Sequence, residues 1–120
     1  MSTKEIGKWY EIVAREYIKS NGGRILDANF RAKSGEIDII AGDGEYLCFI
    51  EVKYRKDAKY GGPEAAVSLS KQKKICKTSL FYLLCHSLSE DIPIRYDVIS
   101  ISGEQDSVSI HWDKDSFDFI

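Results

Sequence analysis

Residues 35–55, GEIDIIAGDGEYLCFIEVKYR, read as two strands joined by a tight turn. Asp38 interrupts Ile37, Ile39 and Ile40, and Glu51 and Lys53 interrupt Phe49, Ile50, Val52 and Tyr54. Ionised side chains are rarely buried without a partner or a metal. Three of them inside the most apolar strands of the chain call for a chemical reason. The turn decides how they meet. With Asp43-Gly44 as a two-residue loop, Asp38 faces Phe49 and Glu36 faces Glu51. A four-residue loop sets Asp38 directly opposite Glu51. Either way Glu36, Asp38, Glu51 and Lys53 project to one side, because opposite residues share a face. A bulged three-residue loop would break this. The other face of 46–55, with Cys48, Ile50, Val52 and Tyr54, lacks charge, and Leu47 and Phe49 add apolar residues to the charged face. This strand is expected to be central and covered on both sides, with its polar cluster at the far end.

Working outward, residues 3–20 read as an amphipathic helix. Ser2 and Glu5 suggest a capping box, Ile6, Trp9, Tyr10, Val13 and Tyr17 recur at helical spacing, and Asn21-Gly22-Gly23 stops it. Glu11 lies in a second stripe with Gly7, Ala14 and Ile18; an inward carboxylate and an exposed one favoured by the helix dipole both remain open. Residues 24–31 alternate as a strand, with Leu26, Ala28 and Phe30 on one face and Ile25, Asp27, Asn29 and Arg31 on the other. The next strand is expected at 36–41. Residues 56–63 read as a mobile connection, with Pro63 opening a short helical turn to Val67. Ser70 is the expected N-cap of a helix to about Leu88. A strand is expected at 93–102 and a short last one at 107–112. The order α-β-β-β-α-β-β, in one domain over 1–120, predicts an α/β (α+β) fold: a mixed central sheet with a helix on each face.

The chain of 120 residues is 43% apolar and 30% charged, ordinary for a soluble globular protein, with no run long enough to span a membrane and no secretory leader pattern. Cys48, Cys76 and Cys85 lie among apolar residues, which predicts reduced core thiols and a cytoplasmic protein. The net charge of −2 is unevenly spread: residues 53–77 hold eight bases against two acids, and 101–120 hold five acids and one lysine. Such a basic zone can meet a phosphate backbone, or it can be a solvated helix face.

Two carboxylates on adjacent strands with a lysine beyond one of them suit a hard cation such as magnesium, which takes oxygen ligands and keeps several waters. Asp38 and Glu51 would be side-chain ligands, the Val52 carbonyl a third, and Glu11 a further acid from the helix. Lys53 would orient or help deprotonate an attacking water and counter charge developing on phosphorus oxygens. The competing reading is a salt-bridged patch on a solvated sheet face.

The residues then become recognisable. Gly7-x3-Glu11-x2-Ala14, Ile25-Leu26-x2-Asn29-x-Arg31, Gly35-Glu36-Ile37-Asp38-Ile39-Ile40 and Phe49-Ile50-Glu51-Val52-Lys53-x-Arg55 resemble the YraN-like family of endonucleases. Ala66-Val67-Ser68, Lys71-Gln72, Tyr82-Leu83, Arg95-Tyr96-Asp97-Val98 and Ile110-His111 continue the match over nearly the whole chain. That family is related to archaeal Holliday-junction resolvases in the PD-(D/E)XK superfamily. The resemblance implies a restriction-endonuclease-like fold and a Mg2+- or Mn2+-dependent hydrolase of DNA, with branched or recombination intermediates as substrates. Its acidic residue falls on Asp38, its (D/E)-x-K on Glu51-Val52-Lys53, its helical acid on Glu11, and the polar residue of its second helix on Lys71 or Gln72. Arg31, Arg55, Lys56, Lys71, Gln72 and Lys74 are the nucleic-acid-binding candidates, Lys59, Lys73 and Lys77 lie in the same zone, and a homodimer would suit a symmetric junction. Ile37 departs from the superfamily's proline, and Trp9-Tyr10 and Gly62-Pro63 depart from the expected pattern. Two further readings stand beside this one: a nucleic-acid-binding module that keeps the fold without cutting, and a protein-interaction domain docking through Trp112, Phe117 and Phe119.

Overall fold

The strand anticipated at 46–55 is present with those bounds, as β3 (Tyr46–Arg55), and is buried from Leu47 to Val52. The computed structural model describes residues 1–56, 66–103 and 105–120. Antiparallel β2 (Gly35–Asp43) flanks β3 on one side and parallel β4 (Ile94–Ser102) on the other. β1 (Arg24–Ala32) and β5 (Ser109–Phe117) are the outer strands, giving the order β1-β2-β3-β4-β5. Among the described residues the α-helices are α1 (Thr3–Ser20) and α2 (Leu69–Cys85), and a 3-10 turn spans Gln105–Ser107. Parallel neighbours need a crossover, and α2 lies in the one joining β3 to β4. The mixed α+β sheet and the order α-β-β-β-α-β-β agree with the sequence reading.

Each sheet face has its own core. Tyr10, Ala14 and Ile18 of α1 pack with Ile39, Cys48, Ile50 and Ile99. Ile75, Tyr82 and Leu83 of α2 pack with Ile40, Phe49 and Tyr96. The Ser2–Glu5 capping box starts α1 as expected. Tyr10 stacks on Tyr54 at 4.3 Å between ring centroids and donates its hydroxyl to the Gly103 carbonyl at 2.6 Å. A side chain at Gly7 would meet the Tyr54 hydroxyl at 3.0 Å, so glycine lets helix and strand approach.

Several expectations are corrected. The hairpin loop is Gly44-Glu45, not Asp43-Gly44; Asp43 pairs with Tyr46, and Gly44 at φ +60 supplies the left-handed turn position. Ser68, not Ser70, caps α2, which ends at Cys85 rather than near Leu88. β5 runs on to Phe117, taking much of the acidic, aromatic tail into the sheet. The simple alternation of β1 fails at a register shift between Ile25 and Asp27, leaving Leu26 exposed. All three cysteines are free, but Cys85 is exposed. The connection at 56–63 and the Pro63 turn lie outside the described residues, apart from Lys56, Ala66 and Val67. Among the described residues no helix is long and apolar enough to cross a membrane.

Candidate active site

β2 and β3 part company at the charged cluster. Their pairing runs from Asp43–Tyr46 to Ile39–Ile50, so the next two positions are Asp38 and Glu51. This is the register expected of the four-residue loop. Beyond it β2 stays with β1 as far as Gly35, and β3 stays with β4 as far as Arg55. The side chains of β2 show why the strands fork. In a regular strand residues two apart share a face. Ile37 instead packs under α2 and Ile39 under α1. The chain therefore twists at Asp38. Next to it on β1, Asn29 takes φ 55, a left-handed conformation that asparagine tolerates better than most residues.

The fork is closed by a side chain. Asp38 Oδ2 accepts the Val52 N–H at 2.8 Å, in place of a main-chain partner. A strand residue turns its N–H and C=O toward the same neighbour, so the Val52 carbonyl opens onto the same gap. Glu51, only 7% exposed, is held by Lys71 of α2, Nζ to Oε2 3.1 Å. The Asp38 carboxyl lies within hydrogen-bonding reach of Glu51. Burial first, and the Glu51 charge second, hold Asp38 well above the usual carboxylate range; the Val52 N–H opposes this, and Glu11 adds to it. Burial alone would lower the Lys71 ammonium, but Glu51, Asp38 and Glu36 together raise it. The geometry thus gathers Asp38, Glu51, Glu36 and Lys71 in one electrostatic cluster, with the half-buried Glu11 near enough to be felt.

Other candidates are placed less centrally. Lys53 shares the Glu51 face, but its Nζ donates to the Ala66 carbonyl at 2.9 Å. Gln72 donates to the Val67 carbonyl at 3.0 Å. Arg31 reaches Glu36 at 3.5 Å and is otherwise exposed, as are Arg55, Lys56 and Lys74. Ser34 and Thr78 share a hydroxyl contact of 2.7 Å, docking the β1–β2 turn on α2 beside Lys74.

A second carboxylate centre is not evident from spacing in the sequence. Asp97 is fully buried and takes Arg95 Nε and Nη2 at 3.2 and 2.8 Å, Trp112 Nε1 at 2.9 Å and the Asp115 N–H at 2.9 Å. Arg95 and Lys114 also meet at Asp43 Oδ2, 3.0 and 2.8 Å away. This knot accounts for Arg95 and Asp97 of the RYDV run, and it ties β4 to β5 and to the end of β2.

Among the described residues no three His, Cys, Asp or Glu side chains form a ready-made metal cage. Two carboxylates that repel one another beside a backbone carbonyl nevertheless make an all-oxygen donor set. Hard cations that retain waters take such a set, often through only one or two carboxylates.

A five-stranded mixed sheet between two helices, forked around paired carboxylates, defines an α+β protein with a concentrated acidic site. Residues 10–101, which contain the whole cluster, match the model of the Uncharacterised protein family UPF0102. The chain belongs to that family. It is 39% identical to a UPF0102 protein of Legionella pneumophila (strain Corby) over 97% of both chains. It is 44% identical to one from Syntrophus aciditrophicus (strain SB), covering 93% of this chain and 87% of that one. With the UPF0102 protein YraN of Escherichia fergusonii it shares 37% identity, over 98% of this chain and 87% of the relative.

Proposed function

We propose that this protein is a Mg2+- or Mn2+-dependent endonuclease that hydrolyses phosphodiester bonds in DNA, at branched, recombination or repair intermediates. The observation that carries the reading is the buried carboxylate pair at the fork, Asp38 on the Val52 N–H and Glu51 on Lys71. Asp38, Glu51 and the Val52 carbonyl would hold the cation, with Glu11 adding negative charge from α1. When bound, the ion neutralises a phosphate oxygen and lowers the pKa of its water. Asp38 must give up the proton that burial and Glu51 favour. Lys71 neutralises Glu51 from the exposed side of α2, where a phosphate would meet it. Lys53, released from the Ala66 carbonyl, would orient the attacking water and counter charge on the phosphorus oxygens. Arg31, Arg55, Lys56 and Lys74 have exposed side chains that would make sequence-independent backbone contacts, and a two-fold pair of chains would suit a symmetric junction.

The test is cleavage of single-stranded, duplex and four-way DNA with added Mg2+ or Mn2+. Asp38→Ala and Glu51→Ala are expected to lose about a thousandfold in rate, several kcal/mol of charge stabilisation. Equal cleavage by the variants and the parent would overturn the reading.

One observation favours a module that binds nucleic acid without cutting: the Lys71 ammonium serves as the counter-charge to Glu51. Calorimetric titration with Mn2+ separates the two, since such a module would bind DNA and take up no ion at Asp38 and Glu51. Docking through the tail aromatics is less supported. Trp112 is tied to Asp97 and Phe117 stacks on Tyr96, leaving Phe119 exposed at 53%.

A further inference from the structure

A groove of about 510 Å3 opens beside the carboxylates, between the chain entering α2 and strands β4 and β5. The sheet register fixes its relation to the site. Glu51 lies beside Val98, which lies beside Asp113; Lys53 lies beside Ser100, which lies beside His111. Two rows of side chains therefore run across the sheet from the acidic cluster into the groove. Neighbouring strands are ~4.8 Å apart, so the groove begins one strand away from Glu51.

Its lining is unlike the rest of that surface. Among the described residues its lining holds no lysine or arginine, although Lys53 reaches the Ala66 carbonyl at its edge, and it does hold the Asp113 carboxylate, which accepts the Ser116 hydroxyl at 2.6 Å. The Asp113 carboxylate disfavours a phosphate at that end of the groove. Val67, Val98 and Phe117 give it apolar walls, while Ser100, His111 and Asp113 offer hydrogen-bonding groups. The volume falls in the range of small-ligand sites built this way. A flat, neutral, hydrogen-bonding group attached to a phosphate answers to all three features at once.

We infer that this groove is a nucleobase subsite, taking one unpaired base with its sugar next to the phosphate that Lys71 would meet at the acidic cluster. The inference rests on the nuclease reading and narrows its substrate. A base stacked in an intact duplex cannot enter, so the strand must be single or easily opened at that nucleotide. Asp113 is suited to accept from an exocyclic amine, as carboxylates do from cytosine, and Ser100 can pair with either kind of edge.

The experiment uses the full chain in EDTA, so that nothing is cut, and a four-way junction carrying 2-aminopurine at one position at a time. At one position near the branch, binding should change the fluorescence at least twofold. His111→Ala and Ser109→Trp, both at exposed β5 positions, should abolish that change while DNA affinity shifts less than about threefold. Circular dichroism confirms that each variant is folded. DNA bound with no responsive position, or with a response that persists in both variants, overturns the subsite and leaves the nuclease reading standing. No binding to any DNA at low salt overturns the nuclease reading, and the subsite with it.

Discussion

Two sets of buried acids occupy this protein, and they are built on opposite plans. Asp97 has a guanidinium, an indole N–H and a main-chain N–H all pointed at it. Asp38 has one main-chain donor and a second carboxylate for a neighbour. Around Asp97 every demand is met from within the chain, so the group behaves as a structural bolt. At the fork Lys71 pairs with Glu51, and Asp38, with burial and the Glu51 charge against its ionised form, is held well above the usual carboxylate range. Burial of an acid therefore does not by itself set its charge state; the completeness of its donor shell does.

The comparison is broken most forcefully at Asp97. Asp97→Ala would strand Arg95 and the Trp112 indole, so urea denaturation should show a loss of about 3–5 kcal/mol. A loss under about 1 kcal/mol would mean that the knot is not structural. At the fork the sign reverses. A carboxyl whose pKa is raised by folding binds more protons folded than unfolded. Asp38 thus lowers stability as pH climbs from its unfolded pKa of about 4 toward its raised folded value. Asp38→Asn should gain on the order of 1–2 kcal/mol at pH 7 without metal and flatten the pH dependence of Tm across that window. A destabilised variant with an unchanged slope would put Asp38 in the same structural role as Asp97. The smallest effect belongs to Lys74, which touches neither acid set. Lys74→Ala should weaken DNA binding uniformly and reduce the slope of log K against log salt by about 0.9. An unchanged slope would remove Lys74 from the DNA path.

Much of this was legible before the structure. β3 is legible because an unbroken apolar run with charges at one end has few other places to sit than the middle of a sheet. α1 is legible because its cap, its stripe and its glycine stop agree. The nearness of Asp38 and Glu51 is legible from the even registers, whereas the twist at Asp38 breaks the alternation that would set Glu36 on the same face. What escaped is what depends on partners far along the chain. The Gly44-Glu45 loop wins because glycine takes the left-handed position, shifting the register so that Asp38 and Glu51 become level. The twist at Asp38 depends on which helix covers Ile37 and which covers Ile39. The Asp97 knot is assembled from two strands and a β-bulge between Tyr96 and Val98, so no local spacing in the sequence announces it. The Lys53 bond to the Ala66 carbonyl joins residues thirteen apart across the connection to α2, which strand alternation does not show.

β3 carries Glu51 at one end of a stretch whose other members, Cys48, Phe49 and Ile50, are among the fully enclosed residues of the two cores. Segments with that degree of enclosure open only with the global transition, whereas exposed loops open alone. The Val52 amide should therefore exchange with deuterium at the rate of whole-molecule unfolding. Heating would then abolish the acidic site and the sheet in one cooperative step.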